Sequence, residues 1–150
     1  MSFQQDLMTA LKTAMKAKDQ TALTALRAVK SAILLAKTET GATEELTEGQ
    51  ELKILQKQVK QRKDSAAIYL EQGREDLAAP ELAEAKIIGQ FLPEALSEEE
   101  ISKIVEQTIN EIEAEGMKDM GKVMGIVSKK VAGKADGKTL AAIVKTTLMN

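Results

Sequence analysis

The residues with the most chemical potential lie near the C-terminus, in the stretch from Met117 to Thr139 (MKDMGKVMGIVSKKVAGKADGKT). Lys118, Lys122, Lys129, Lys130, Lys134 and Lys138 cluster there around two expected helix N-termini, with Gly121 and Gly125 four residues apart. Ammonium groups beside free backbone N–H groups suit phosphate oxygens, so these eight residues form a candidate anion-binding surface, one that a nucleic-acid backbone would suit. The stretch contains no aromatic residue. Base stacking is therefore not available to it, and any hold on a nucleic acid would be through backbone and shape. Asp119 and Asp136, expected to cap the two helices, would oppose phosphate locally. Gly121 and Gly125 are expected to permit close helix–helix packing, so bulky replacements there should damage the fold.

Two other segments carry charge or motif character. AGKADGKT, from Ala132 to Thr139, fits a loose phosphate-loop pattern with Ala in place of the first Gly. Such a loop needs a buried strand before it and a helix after it in a parallel sheet. The residues before it have helical periodicity instead, so nucleotide hydrolysis is not expected. QKQVKQRKD puts Lys57, Lys60, Arg62 and Lys63 on one helix. Its apolar spacing brings Arg62 or Lys63 to the core seam, where a long cation can snorkel or pair with an internal carboxylate. Glu71, Glu75, Asp76, Glu81 and Glu84 are the partners on offer, and nothing singles out two of them for acid–base catalysis. The chain has no Cys, His or Trp. That excludes thiolate nucleophiles, disulfides, Cys or His metal sites and a histidine base. No catalytic residue, metal or cofactor is expected.

The elements that must hold these residues are helical. The chain of 150 residues is 43% apolar but only 2% aromatic, so its core draws on Leu, Ile, Val, Ala and Met. Leu7, Leu11 and Met15 mark a first helix. Ala22, Leu26, Val29, Ile33 and Ala36 mark a second, ended by Gly41. A third carries Leu52, Leu55, Val59, Ala66 and Leu70, and Gly73 closes it. A fourth carries Leu82, Ala85, Ile88 and Leu92, with Pro80 at its start or at a kink and Pro93 as its stop. Ser97 and Glu100 read as a capping box, and Leu96 with Ile101 as the hydrophobic staple across it. The fifth helix then runs from Ile101 to about Gly116. A sixth carries Met120, Val123, Met124, Val127 and Val131, and a seventh Leu140, Ile143, Val144 and Leu148. No useful run alternates with period two. The expectation is an all-α protein, with a four-helix unit over 1–94 and a three-helix unit over 95–150.

A net charge of −2 hides a strong asymmetry. Residues 1–70 carry eleven basic and eight acidic side chains, residues 71–116 three and thirteen, and residues 117–150 seven and two. This is either internal complementarity or the footprint of an anionic partner. No basic segment precedes an apolar run, and apolar stretches such as AILLA and AAIYL reach only five residues. Neither a secretory signal nor a membrane span fits, and a soluble, cytoplasmic monomer is expected.

Four stretches carry a resemblance over essentially the whole chain: LTALRAVKSAI from Leu23, VKQRKDSAAIYLEQGREDLA from Val59, FLPEALSEEEI from Phe91 and DMGKVMGIVSKKVAGKADGKTLAAIVK from Asp119. They resemble the GatB/YqeY family, specifically its stand-alone YqeY-like members. The resemblance implies two helical subdomains. The second is similar to the tail domain of the aspartyl/glutamyl-tRNA amidotransferase B subunit, a tRNA-contacting appendage. The family label is carbon–nitrogen ligase with glutamine as amido-N-donor, but that chemistry belongs to other domains, so this chain is not expected to be an enzyme by itself. The resemblance carries a binding role to Gly121, Lys122, Gly125, Lys134 and Lys138. The implied partner is tRNA or a tRNA-modifying or tRNA-charging enzyme. The alternative is a protein–protein adaptor with no nucleic-acid role.

Overall fold

The computed structural model describes residues 2–39 and 45–150. Among these residues the chain is all-α, with seven α-helices, and it divides into two compact units, Met1–Leu92 and Pro93–Asn150. The expected stop of the second helix at Gly41 lies outside the described residues.

The first unit holds α1 (Phe3–Ala17), α2 (Gln20–Glu39), α3 (Glu48–Glu71) and α4 (Glu75–Gly89). Its core gathers Leu7, Leu11, Leu23, Leu26, Val29, Ile33, Leu55 and Ile88, and Phe3 meets Phe91 edge-to-face at 5.8 Å. α1 and α3 each begin with a capping box, Ser2 with Gln5 and Thr47 with Gln50. Each box satisfies two backbone N–H groups that the first helical turn leaves unpaired. α1 ends at Lys18 in the left-handed region (φ +58°), and Asp19 Oδ1 then accepts from the Ala22 N–H at 3.0 Å to start α2. α3 packs along α4, and buried alanines (Ala66 on α3, Ala78 and Ala85 on α4) permit the close approach. Gly73 turns the chain between them at φ +72°.

Three details of the periodicity are corrected. Pro80 does not start a helix: α4 runs through it, and the proline sits exposed where its missing N–H removes one donor. Ala78, Ala85 and Ile88 set the buried face of α4, which turns Leu82 outward to 45% exposure. Met15 and Leu70, near the ends of α1 and α3, are exposed as well.

The second unit holds α5 (Glu98–Ile112), a 3-10 turn (Met117–Asp119), α6 (Met120–Lys130) and α7 (Gly137–Met149). Ser97 accepts from the Glu100 N–H at 3.2 Å while Glu100 accepts from the Ser97 N–H at 3.0 Å, and Leu96 packs on the cluster containing Ile101. The capping box and staple read from LPEALSEEEI are both formed. The core is almost wholly β-branched: Ile101, Val105, Val123, Val127, Val131 and Val144, with Leu140. Two ends differ from expectation. α5 stops at Ile112 because Glu113 takes the left-handed C-cap (φ +56°), ahead of Gly116. Asp119 does not cap α6; its Oδ2 accepts from the Glu115 N–H at 2.9 Å instead. Asp136 does cap α7, accepting from the Thr139 N–H at 2.7 Å and from its hydroxyl at 3.0 Å.

Candidate nucleic-acid interface

Helix geometry decides what α6 presents. Residues three, four and seven apart share one side of a 3.6-residue helix, and Val123, Val127 and Val131 take the inward side. Lys122, Gly125 and Lys129 are spaced i, i+3, i+7 and occupy the opposite, exposed side. Gly121 is exposed beside them. A Cβ built on Gly121 or Gly125 meets nothing within 4 Å. The expectation of close helix–helix packing at these glycines is therefore corrected. Four-residue spacing put them on one face, but the valine phase points that face to solvent. What they create is a strip of bare backbone between two lysines.

The other lysines divide into two groups. Lys118 pairs with Glu115 at 2.7 Å. Lys130 donates to the hydroxyl of buried Thr108 at 2.9 Å and pairs with Glu111 at 3.2 Å, so its ammonium ties α6 to α5. These two cations are already neutralised by α5 and the loop after it. Lys122, Lys129, Lys134 and Lys138 are exposed and have no ion pair among the described residues. Lys134 lies in the α6–α7 turn, and its carbonyl accepts from the Leu96 N–H at 2.9 Å, which fixes the turn against the segment entering α5. Gly133 bends the same turn at φ +77°. Lys138 stands in the first turn of α7.

The phosphate-loop letters fall on this turn. A helix precedes AGKADGKT where a phosphate loop requires a strand, and Asp136 fills the N-terminus of α7 with a carboxylate. The same cap places a negative charge at that helix end, which leaves the exposed lysines rather than backbone N–H groups as the cationic part of this surface.

The basic run on α3 behaves differently. Arg62 is drawn into the first unit, its side chain 13% exposed, with Glu84 of α4 at 3.9 Å and equally buried. One guanidinium nitrogen donates to Gln58 Oε1 at 2.8 Å and to the Gln58 carbonyl at 3.2 Å. Burial raises the Glu84 carboxyl above its ordinary range, Arg62 opposes that rise, and Glu81 adds to it. The expected pairing of a seam cation with an internal carboxylate is found, between these two residues.

One feature of the second unit was not read from the sequence. Glu98 and Ser102 of α5 and Lys138, Thr139, Ala142, Ile143, Thr146 and Thr147 of α7 line an open groove of about 440 Å³. Hydroxyl and small residues at positions 139, 142 and 146 are its only signal, and that pattern is common on ordinary helix surfaces.

A family model described as Yqey-like protein matches residues 4–148. "Altered inheritance of mitochondria protein 41, mitochondrial" of Clavispora lusitaniae is 41% identical over 107 residues, 69% of this chain and 61% of that protein. The protein of the same name in Kluyveromyces lactis is 34% identical over 140 residues, 91% of this chain and 71% of that one. A glutamyl-tRNA(Gln) amidotransferase subunit of Thermococcus gammatolerans is 39% identical over 70 residues, which is 44% of this chain and 11% of that much longer protein. The chain thus spans less than two thirds of the Clavispora relative. The fungal names overturn the cytoplasmic expectation. That expectation rested on the absence of a charged-then-apolar signal, a pattern that tests for secretion. A mitochondrial address is an amphipathic, Arg- and Ser-rich segment, to which the test is blind.

Proposed function

This chain belongs to the YqeY-like family, and from that premise we propose that its second unit docks tRNA by the phosphate backbone. The observation that carries the proposal is the exposed line Lys122–Gly125–Lys129, extended by Lys134 and Lys138, whose four ammonium groups have no ion pair among the described residues. Lysines provide point charges for phosphate, and the bare glycine backbone lets a strand approach between them. The similarity to a tRNA amidotransferase subunit supports the choice of RNA. The role is binding, in the service of a tRNA-modifying or tRNA-charging enzyme, with the amide-transfer chemistry supplied elsewhere. For compartment the proposal follows the fungal relatives, whose names are mitochondrial.

A salt titration of tRNA affinity tests this. Reversing Lys122, Lys129 and Lys134 to Glu should weaken binding and flatten the slope of log K against log salt by about 0.7–0.9 for each phosphate released. The melting temperature should barely move, because these side chains face solvent. An unchanged affinity and slope in the folded triple variant would remove this face as the tRNA site.

A second reading, a protein adaptor, draws on the first unit, where Leu34, Leu35, Ile68 and Leu70 are each at least half exposed. Binding by such apolar side chains would be insensitive to salt, so the same titration separates the readings.

A further inference from the structure

We propose that the α5–α7 groove seats one unpaired nucleotide of a bound RNA, with a preference for bases that carry an exocyclic amino group. The inference rests on the RNA-docking reading and goes beyond it, since the lysine line of α6 recognises backbone only.

Three observations carry it. The first is size and place: about 440 Å³ falls within the range of small-ligand sites, and the groove lies wholly within the second unit. The second is continuity, because Lys138 belongs both to the lysines without an ion pair and to the groove wall. A phosphate held by Lys138 therefore brings its own nucleoside to the groove mouth. The third is the hydrogen-bonding character of the wall. Thr146 donates its hydroxyl proton to the Ala142 carbonyl at 2.9 Å, and Thr147 donates to the Ile143 carbonyl at 2.8 Å. Thr139 donates to Asp136 at 3.0 Å. A hydroxyl whose proton is committed in this way retains its lone pairs and acts as an acceptor. Glu98 adds a carboxylate, an acceptor only when ionised. Apart from the Ser102 hydroxyl and the Lys138 ammonium, the wall's polar side chains accept.

An acceptor-rich wall with one cation fits a ligand that has one anionic group and several N–H or O–H donors. A nucleotide has both: its phosphate suits Lys138, and its ribose hydroxyls and base amino group suit the threonine oxygens and Glu98. Guanine, adenine and cytosine carry exocyclic amino donors, and uracil carries none, so uracil leaves acceptors unmatched. Ala142 and Ile143 provide an apolar floor in place of an aromatic platform. This predicts weak single-nucleotide affinity, with selectivity coming from hydrogen bonds.

The test is a titration of the isotope-labelled full chain with GMP, AMP, CMP and UMP, followed by amide chemical shifts. Shifts should concentrate at Ser102, Thr139, Ile143 and Thr146. GMP, AMP or CMP should bind about fivefold tighter than UMP, the equivalent of one net hydrogen bond of about 1 kcal/mol. Ala142→Leu should fill the groove and abolish those shifts. Glu98→Gln should leave the fold intact and reduce the preference over UMP. Inorganic phosphate alone should shift Lys138 and its neighbours but not Ser102. Equal shifts for all four nucleotides that inorganic phosphate reproduces, or no shifts in the groove, would overturn the proposal. tRNA titration separates this outcome from the backbone reading. Groove binding of mononucleotides without salt-sensitive tRNA binding keeps the groove and removes the docking role. Salt-sensitive tRNA binding that is identical in wild type and Ala142→Leu keeps the docking role and removes the groove.

Discussion

The basic helices of the two units differ in whether they bury a cation. In the first unit α3 carries Arg62 inward against Glu84, with further pairs at Lys60–Asp64, Lys37–Glu45 and Arg74–Asp76, while Lys57 and Lys63 of the same helix face water. In the second, α5 neutralises Lys130 but leaves Lys122, Lys129, Lys134 and Lys138 facing water. The runs QKQVKQRKD and VSKKVAGK look equally basic in the sequence. They differ in the inward phase of the helix that bears them. Leu55, Val59, Arg62 and Ala66 share the inward side of α3, so one cation must be buried and compensated. On α6 the inward side is valine, and every cation is pushed outward or to the edge. A buried cation contributes to structure, and an exposed one without an ion pair is available to a ligand.

The largest effect should come from breaking the buried pair. Glu84→Ala leaves the Arg62 guanidinium uncompensated and should cost about 3 kcal/mol in urea unfolding. The double replacement Arg62→Met, Glu84→Leu should cost less than Glu84→Ala alone, because no lone charge remains. A double variant at least as unstable as the single would show that packing, not charge, dominates the seam.

A smaller effect of opposite sign should appear on α6. Gly125→Ala places a methyl group in open space inside a helix and should raise stability by about 0.5–1 kcal/mol. A destabilised variant would restore the close-packing role that the exposed face argues against. Gly125→Leu separates stability from binding. It should melt at or above the wild-type temperature yet bind tRNA more weakly, because the side chain obstructs the bare strip.

The smallest effect is a pH dependence from Glu51 in the first unit. Burial raises the Glu51 carboxyl above its ordinary 4.5, the hydrogen bond from Gln4 opposes this, Glu45 and Glu48 add to it, and Lys37 counters. A raised native pKa means that the folded chain holds a proton where the unfolded chain has lost it. Stability from this group therefore falls as pH rises from about 4.5 through the raised native value, and levels off above it. Glu51→Gln should flatten that slope in urea midpoints measured across the window. An unchanged slope would remove Glu51 as a source of the pH dependence.

Much of the fold was legible because its signals are local. Ser97 and Glu100 satisfy each other's backbone within one turn, so four letters suffice to place that helix start. The same device went unread at Ser2 with Gln5 and Thr47 with Gln50, where Gln replaces Glu in the box. Helix phase was less legible. Leu82 and Leu70 have the right spacing for a core, but whether a leucine is covered depends on a partner helix. The candidate site followed the same division. Its lysines could be named from the sequence, whereas the separation of Lys118 and Lys130 from the other four depends on Glu115, Thr108 and Glu111 being within reach.

Periodicity near 3.6 and the near absence of aromatic and alternating runs already commit the chain to the all-helical class. Residue types alone also rule out the chemistry that needs Cys or His, and they make the last 34 residues basic. Such properties belong to single side chains and to neighbours a few positions apart. Which face of α6 is bare, which cations are already paired, and the groove that α5 and α7 leave between them emerge only in the folded chain. Each of these depends on side chains brought together from distant positions, as with Lys130 and Thr108, 22 residues apart. Pairwise spacing along the chain does not encode such distances; the packing of one helix on another sets them.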